Sequence, residues 1–267
     1  MAMEASRPAQ ALRPDVDGRR LLFLAGLHRS GTSLVHRCLA DHSAISGFTN
    51  TGVHEDEGQH LQSVYRPAHV YGGPGLFGFA PEARLDETSP LATPESARRL
   101  LSEWERYWDT TRPVLVEKSP PTLIRTRFFQ QLFPGARFIV VLRHPIAVSY
   151  ATSKWTPRST LVGKLIRHWL HCHEMFEADR PHLANVFVFR YEDFVAAPEQ
   201  KLAEMQSFLG LAPEPLRREV HRDVNEKYFA RWEKLRRNPI GRWYSKRVVA
   251  AYEARVQRFG YSLTDYR

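Results

Sequence analysis

The chain reads as an α/β protein with three layers: a central parallel sheet and helices on both of its faces. Three observations predict this. Short apolar runs, each the length of a strand, recur along the chain. Amphipathic stretches of helical period separate them, as crossovers between parallel strands require. Several of the runs end in charged residues, and the ends of strands are where open parallel sheets bind ligands. A length of 267 residues with 43% hydrophobic content accommodates one sizeable packed core.

Residues 1–18 are rich in Ala, Pro, Arg and Asp, lack periodicity, and read as a flexible lead. The rest, 19–267, reads as a single domain with a helical, basic C-terminal part. Leu21 to Leu24 form the first buried strand, broken at Gly26. After His28-Arg29-Ser30-Gly31-Thr32-Ser33, the apolar positions Leu34, Val35, Cys38 and Leu39 mark a helix to about residue 41. Residues 43–95 read as irregular, apart from a helix at Gly58–Val64. Glycines, prolines and aromatics crowd 71–81, and Tyr65, Tyr71, Phe77 and Phe79 argue for an ordered loop. Thr93 opens a helix to about residue 110, with Leu100, Leu101, Trp104 and Trp108 on its core face.

PVLVEKSPP (113–121) is a second buried strand, followed by a helix through Leu132 that stops near Pro134-Gly135. ARFIVVLRHP (136–145) is the strongest strand signal, and Pro145 suits the first turn of the next helix. A helix across 160–178, a strand in NVFVFRYEDF (185–194) and a helix over 198–209 complete the alternation. The last 60 residues read as helical, with an irregular link at RRNPIGRW (236–243).

A net charge of +9 suggests an anionic ligand, an acidic partner or a nucleic acid. The basic residues are spread along the chain and form no stripe, which argues against a nucleic acid. Two cysteines, Cys38 and Cys172, exclude a disulfide scaffold and are not spaced for a metal. No apolar run approaches the ~20 residues of a membrane span, and a cytoplasmic location is the resulting expectation.

The stretch LFLAGLHRSGTS (22–33) carries the most chemistry. A glycine turn between a buried strand and a helix aims backbone N–H groups at one spot, and the helix dipole adds positive potential there. Gly26-x-x-x-x-Gly31 matches the phosphate-loop spacing, but Thr32 stands where a nucleotide triphosphatase has lysine. The cation is Arg29, inside the loop. Two other strand ends are informative. One is Glu117-Lys118-Ser119-Pro120. The other is Arg143-His144-Pro145, with Ser149 six residues on, just under two helical turns away. Arg143 offers a planar donor fork suited to phosphate. Two anion sites at two strand ends imply a ligand with phosphates at both ends of a nucleoside.

These segments resemble the sulfotransferases that use 3′-phosphoadenosine-5′-phosphosulfate (PAPS). The likeness rests on GLHRSGTSLVHRCLADH, VEKSPPTLIRTRFFQQLFPGARFIVVLRHPIAVSYA and FRYEDFVAAPEQKLAEMQSFLGL, and spans roughly 21–243. It is closer to the tyrosylprotein, carbohydrate-like and bacterial branches than to the cytosolic aryl branch, which has lysine in the first loop. The resemblance implies a P-loop-like sulfotransferase fold. It also implies transfer of a sulfuryl group to an acceptor hydroxyl or amine without metal, leaving adenosine 3′,5′-bisphosphate. It implies that Arg29, Ser30, Gly31, Thr32 and Ser33 hold the 5′-phosphosulfate and that Arg143 and Ser149 hold the 3′-phosphate. Lys118 resembles a lysine that assists the leaving oxygen, a role Arg29 can share only by stabilising charge. RRNPIGRW loosely resembles a loop that contacts the 3′-phosphate, implicating Arg236 and Gly241. Asn225 and Trp232 resemble a segment of the tyrosylprotein branch.

The base must come from outside the donor loop. Related branches use a glutamate beyond that loop, and His54-Glu55-Asp56-Glu57 falls there. Glu55 is the first choice, Glu57 the second and His54 the third. Burial beside an apolar loop would raise the glutamate's pKa. One acid of the cluster is expected to cap the helix that follows. His168, His171 and His173 lack a completing ligand, so no metal site is expected. Glu192 and Asp193 are expected to position Arg190 or the sheet end. The alternative reading is a phosphate-loop kinase acting on a small molecule. The acceptor is open: a small molecule, a glycan or a peptide, met by the loop at 65–85.

Overall fold

The computed structural model describes residues 18–266, so most of the expected N-terminal lead lies outside the described residues. The sheet has five parallel strands in the order β2-β3-β1-β4-β5. They are β1 (Arg20–Ala25), β2 (Ile45–Gly47), β3 (Val114–Lys118), β4 (Arg137–Leu142) and β5 (Val186–Arg190). The nine helices are α1 (Thr32–Ala40), α2 (Pro94–Trp104), α3 (Thr126–Leu132), α4 (Pro145–Thr152), α5 (Val162–Asp179), α6 (Tyr191–Ala196), α7 (Pro198–Phe208), α8 (Glu226–Arg237) and α9 (Pro239–Gln257) among the described residues.

Alternation along β1 builds the two faces. Leu22 and Leu24 pack with Val35, Leu39, Leu202 and Met205 under α1 and α7. Leu21 and Phe23 face the other way, into an aromatic cluster with Trp104, Phe129 and Phe138. Phe23 stacks on Phe129 at 4.4 Å between ring centroids. Helices therefore cover both faces, as an all-parallel sheet requires.

Several elements differ from the sequence-based reading. β2 pairs with β3 in a region read as irregular; three residues are too few to show a period. The strand expected at 185–194 stops at Arg190, and Tyr191 begins α6. The helix from Thr93 ends at Trp104, and Trp108 is extended. Both indoles still belong to the core, donating to the carbonyls of Gly58 and Val116. The helix expected at Gly58–Val64 is a single 3₁₀ turn, Gly58–His60. RRNPIGRW is no irregular link: α8 runs through Arg237, and Asn238 caps α9 by accepting from the N–H groups of Ile240 and Gly241.

The strand order sets the site. β1 lies between β3 and β4, so the chain leaves it first to one side and later to the other. The crevice beyond such a switch point is where doubly wound sheets bind ligands. Register places Leu24 beside Lys118 and Ala25 beside Val140. Arg29, Lys118 and Arg143 thus leave the same edge of three adjacent strands.

Candidate active site

A cavity of about 250 Å³ opens at this edge. Its wall includes Arg29, Gly31, Thr32 and Ser33 from the first loop, Arg143 from the end of β4, and Glu55 and Glu57 from the acidic cluster. Gly31 caps α1 with φ +99°, and no side chain occupies the cap, so first-turn N–H groups stay available to an anion. A Cβ on Gly31 would lie 2.3 Å from the Tyr191 ring, so the close approach and the backbone both demand glycine. Arg29 also adopts a positive φ, 70°, and its guanidinium lies 4.8 Å from the half-exposed Trp155 ring.

Arg143 is buried and tightly held. Its Nε and Nη2 donate to Asn225 Oδ1 at 2.9 and 2.7 Å, and Nη1 donates to the Arg29 carbonyl at 2.8 Å. Three of its five N–H donors are thereby committed, which leaves two for a ligand. The guanidinium lies over the Tyr191 ring at 4.5 Å. Asn225 Nδ2 donates to Glu192 Oε1 at 2.7 Å, and the same carboxylate accepts from the His144 N–H and the Tyr261 hydroxyl. Glu192 therefore orients Arg143 through Asn225; its expected partner Arg190 instead lies over the Tyr261 ring.

The acidic cluster is organised by two left-handed residues, Glu55 (φ 53°) and Asp56 (φ 50°). They break the alternation of an extended segment, so Glu55 and Glu57 both reach the cavity wall. The Lys118 ammonium, wholly buried, donates to the Glu55 carbonyl at 2.6 Å and lies 3.4 Å from Glu57 Oε1. Burial pushes the Glu57 carboxyl above the usual glutamate range, against the pull of Lys118 and the Gln59 amide. Glu55 goes the other way. Burial would raise it, but the Ser33 hydroxyl, Lys118, His54 and Arg29 together hold it below that range. The expected upward shift therefore falls on Glu57. Asp56 caps no helix; it accepts from the N–H and hydroxyl of Thr51.

Beneath the cluster, burial pushes the Glu117 carboxyl up to about 7. Its Oε1 accepts from the Ser119 hydroxyl.

Other expected site residues lie elsewhere. Ser30 is buried and does not line the cavity; its N–H donates to Leu27 O at 2.9 Å. The Ser149 hydroxyl is buried in a separate small cavity. Arg236 lines a larger open cavity of about 940 Å³ between α8, α9 and residues 264–266. Gly241 packs at that helix junction, where a Cβ would lie 2.1 Å from Leu235 O. The strand ends converge on the smaller cavity, and neither Arg236 nor Gly241 joins the first loop there. Tyr65 and Phe77, expected to meet an acceptor, are core residues. Tyr65 meets Phe128 and Phe129 edge-on. Sequence reasoning missed His28, Arg37, Trp155 and Tyr191, which also line the cavity. His28 lies inside the first loop beside Arg29, where its position was the available signal; Arg37, Trp155 and Tyr191 carry no motif spacing, and only the fold brings them there. His168 and His173 are buried and bonded to Gly78 N and Trp169 O.

A parallel sheet with a glycine loop and an uncapped helix start at its switch point is a phosphate-loop-like architecture. The sequence matches the model of the Sulfotransferase family over residues 22–215, and the chain belongs to that family. A sequence search of curated proteins returns no match. Solved structures agree in fold. A sulfotransferase from Alicyclobacillus acidocaldarius is 18% identical, with a TM-score of 0.50 over 90% of this chain and 95% of that one. The sulfotransferase domain from the curacin biosynthetic pathway is 17% identical, with a TM-score of 0.50 over 80% and 90%. A Mycobacterium avium sulfotransferase is 12% identical, with a TM-score of 0.52 over 84% and 70%. The protein is a sulfotransferase enzyme. No helix among the described residues is long and apolar enough to cross a membrane.

Proposed function

We propose that the enzyme transfers a sulfuryl group from PAPS to an acceptor hydroxyl, without metal, using a glutamate base. The observation that carries this reading is the convergence of Arg29, Arg143 and the uncapped start of α1 on one cavity that also holds two carboxylates. The donor set suits an anion with phosphate groups at two ends: hydrogen-bonding N–H groups and one cation at the first loop, and a pre-aimed fork with two unused N–H donors at Arg143. PAPS supplies an activated sulfuryl group on a good leaving phosphate. Arg29, Thr32 and Ser33 would hold its 5′ end and Arg143 its 3′-phosphate.

Glu57 becomes the preferred base over Glu55. A raised pKa brings a carboxylate closer to the range useful for proton abstraction, and the buried ammonium of Lys118 holds the Glu57 side chain in place. The acceptor oxygen bonds to sulfur, the sulfur–phosphate oxygen bond breaks, and the hydroxyl proton passes to Glu57. Lys118 stands behind the cavity wall. It would stabilise charge on the leaving oxygen from there while fixing Glu57 and the turn at Glu55. The acceptor is a small molecule, a glycan or a peptide.

Incubation with ³⁵S-labelled PAPS and a panel of hydroxyl acceptors tests the reading. Label should move to an acceptor in the presence of EDTA, with release of adenosine 3′,5′-bisphosphate. Transfer of phosphate from ATP that needs magnesium would replace this reading with a kinase.

A further inference from the structure

Behind the donor cavity lies a second, much smaller one of about 10 Å³, whose wall includes Leu27, His28, Ser149, Thr152 and His168. Three residues of its wall each carry a buried polar atom with no hydrogen-bond partner among the described residues: His28 Nδ1, Ser149 Oγ and Thr152 Oγ1. Ser149 and Thr152 are 1% and 2% exposed. They stand three residues apart on α4, on one face of the helix. The fourth polar residue, His168, is already engaged, since Gly78 N donates to its Nε2 at 3.0 Å. Buried polar groups are rarely left unbonded. A space about the size of one water, whose wall residues carry three unsatisfied polar atoms, meets the requirements for a structural water.

Among the described residues, His28 alone lines both this cavity and the donor cavity. Its ring meets Phe77 edge-on at 5.6 Å, which fixes the ring plane. If Nδ1 is satisfied from behind, Nε2 is the ring nitrogen left for the donor cavity. We propose that one water bridges His28 Nδ1, Ser149 Oγ and Thr152 Oγ1, donating to Nδ1, and that His28 thereby presents a neutral Nε2–H donor to the anion in the donor cavity. The hydrogen bond on one ring nitrogen sets the tautomer of the other, as the partners of metal-bound histidines do. The two hydroxyls accept or donate as the water requires.

A charged ring is disfavoured at this position. Burial, with Lys118, His54, His60 and Arg29 nearby, lowers the pKa of His28 to about 3. A neutral imidazole can still donate one hydrogen bond, which is what stabilising charge on a sulfuryl oxygen requires. This also gives Ser149 a role other than contact with a 3′-phosphate. The water stands on geometry alone; the tautomer and the use of the N–H donor rest on the proposed reaction.

The test has two arms. The first needs no activity. A high-resolution crystal structure should show ordered density within about 2.6–3.2 Å of the three atoms. ¹⁵N shifts of the labelled wild-type protein should show His28 with Nδ1 unprotonated and Nε2 protonated from pH 5 to 8. A dry cavity, or a protonated Nδ1, overturns the proposal whatever the reaction proves to be. The second arm reads sulfuryl transfer. His28→Phe keeps the ring and the Phe77 contact, and should lower kcat by about 10²-fold, the scale for one lost donor. Thr152→Val should lower it several-fold, Thr152→Ser should restore it, and donor KM should change little. Unchanged kcat in His28→Phe, with the water and tautomer in place, overturns the donor role alone.

Discussion

At the residue scale, two carboxylates make the account testable. The base assignment predicts that Glu57→Gln lowers kcat by ~10²–10⁴-fold with donor affinity nearly unchanged, because Glu57 would meet the acceptor rather than the nucleotide. Glu55→Gln should cost less than tenfold. Steady-state kinetics of the two variants decides it, and the reverse order would return the base to Glu55. Glu117 makes a separate prediction about stability. Its folded pKa of about 7 lies above the ordinary glutamate value, so the folded state binds more protons than the unfolded state between about pH 4.5 and 7. Its contribution is therefore full below that window and is lost as pH rises through it. Glu117→Gln should raise unfolding free energy at pH 8 by on the order of 1–3 kcal/mol and flatten that slope. Urea melts at pH 5 and 8 measure both, and an unchanged slope would rule out Glu117 as its source. That the first-loop and strand-end arginines share one cavity was legible in the sequence, because phosphate recognition would need such groups beside glycines and a strand end. The preference for Glu57 was not, because it depends on two left-handed residues that turn it onto Lys118.

At the element scale, the first loop and α6 act as one unit. Gly31 admits the Tyr191 ring, and Tyr191 lies under the Arg143 guanidinium. Gly31→Ala should displace Tyr191 and, with it, Arg143, while forcing a side chain into a positive-φ position. A destabilisation of about 1–3 kcal/mol is expected, together with loss of measurable adenosine 3′,5′-bisphosphate binding. Denaturant unfolding and calorimetry check both, and wild-type values for each would mean the loop tolerates a Cβ. Four of the five strands were legible from buried apolar runs, and so were most helices. The failures have physical causes. Ile45–Gly47 is too short to show a period. The acidic and aromatic loop forms 3₁₀ turns pinned by long-range contacts, such as Arg125 Nε on Ala83 O at 2.8 Å. RRNPIGRW looked like a loop because Asn-Pro breaks helices, yet here it ends one helix and caps the next.

At the scale of the whole molecule, the sheet order does what no single motif could: it places the ends of β3, β1 and β4 side by side, so residues more than a hundred positions apart share one cavity. Two of the cations behind the positive net charge, Arg29 and Arg143, line that same space. Family membership and fold agree with that arrangement, and the donor is the link that remains to be measured. Isothermal titration of adenosine 3′,5′-bisphosphate in the presence of EDTA measures it, using the wild type and Arg143→Ala, with adenosine 5′-phosphate and ATP as comparisons. The wild type should bind the bisphosphate without metal and in preference to ATP. Arg143→Ala should weaken that binding by about 2–4 kcal/mol and leave adenosine 5′-phosphate much less affected. Equal losses for both ligands would contradict the 3′-phosphate assignment, and binding of ATP with magnesium but not of the bisphosphate would contradict the donor itself.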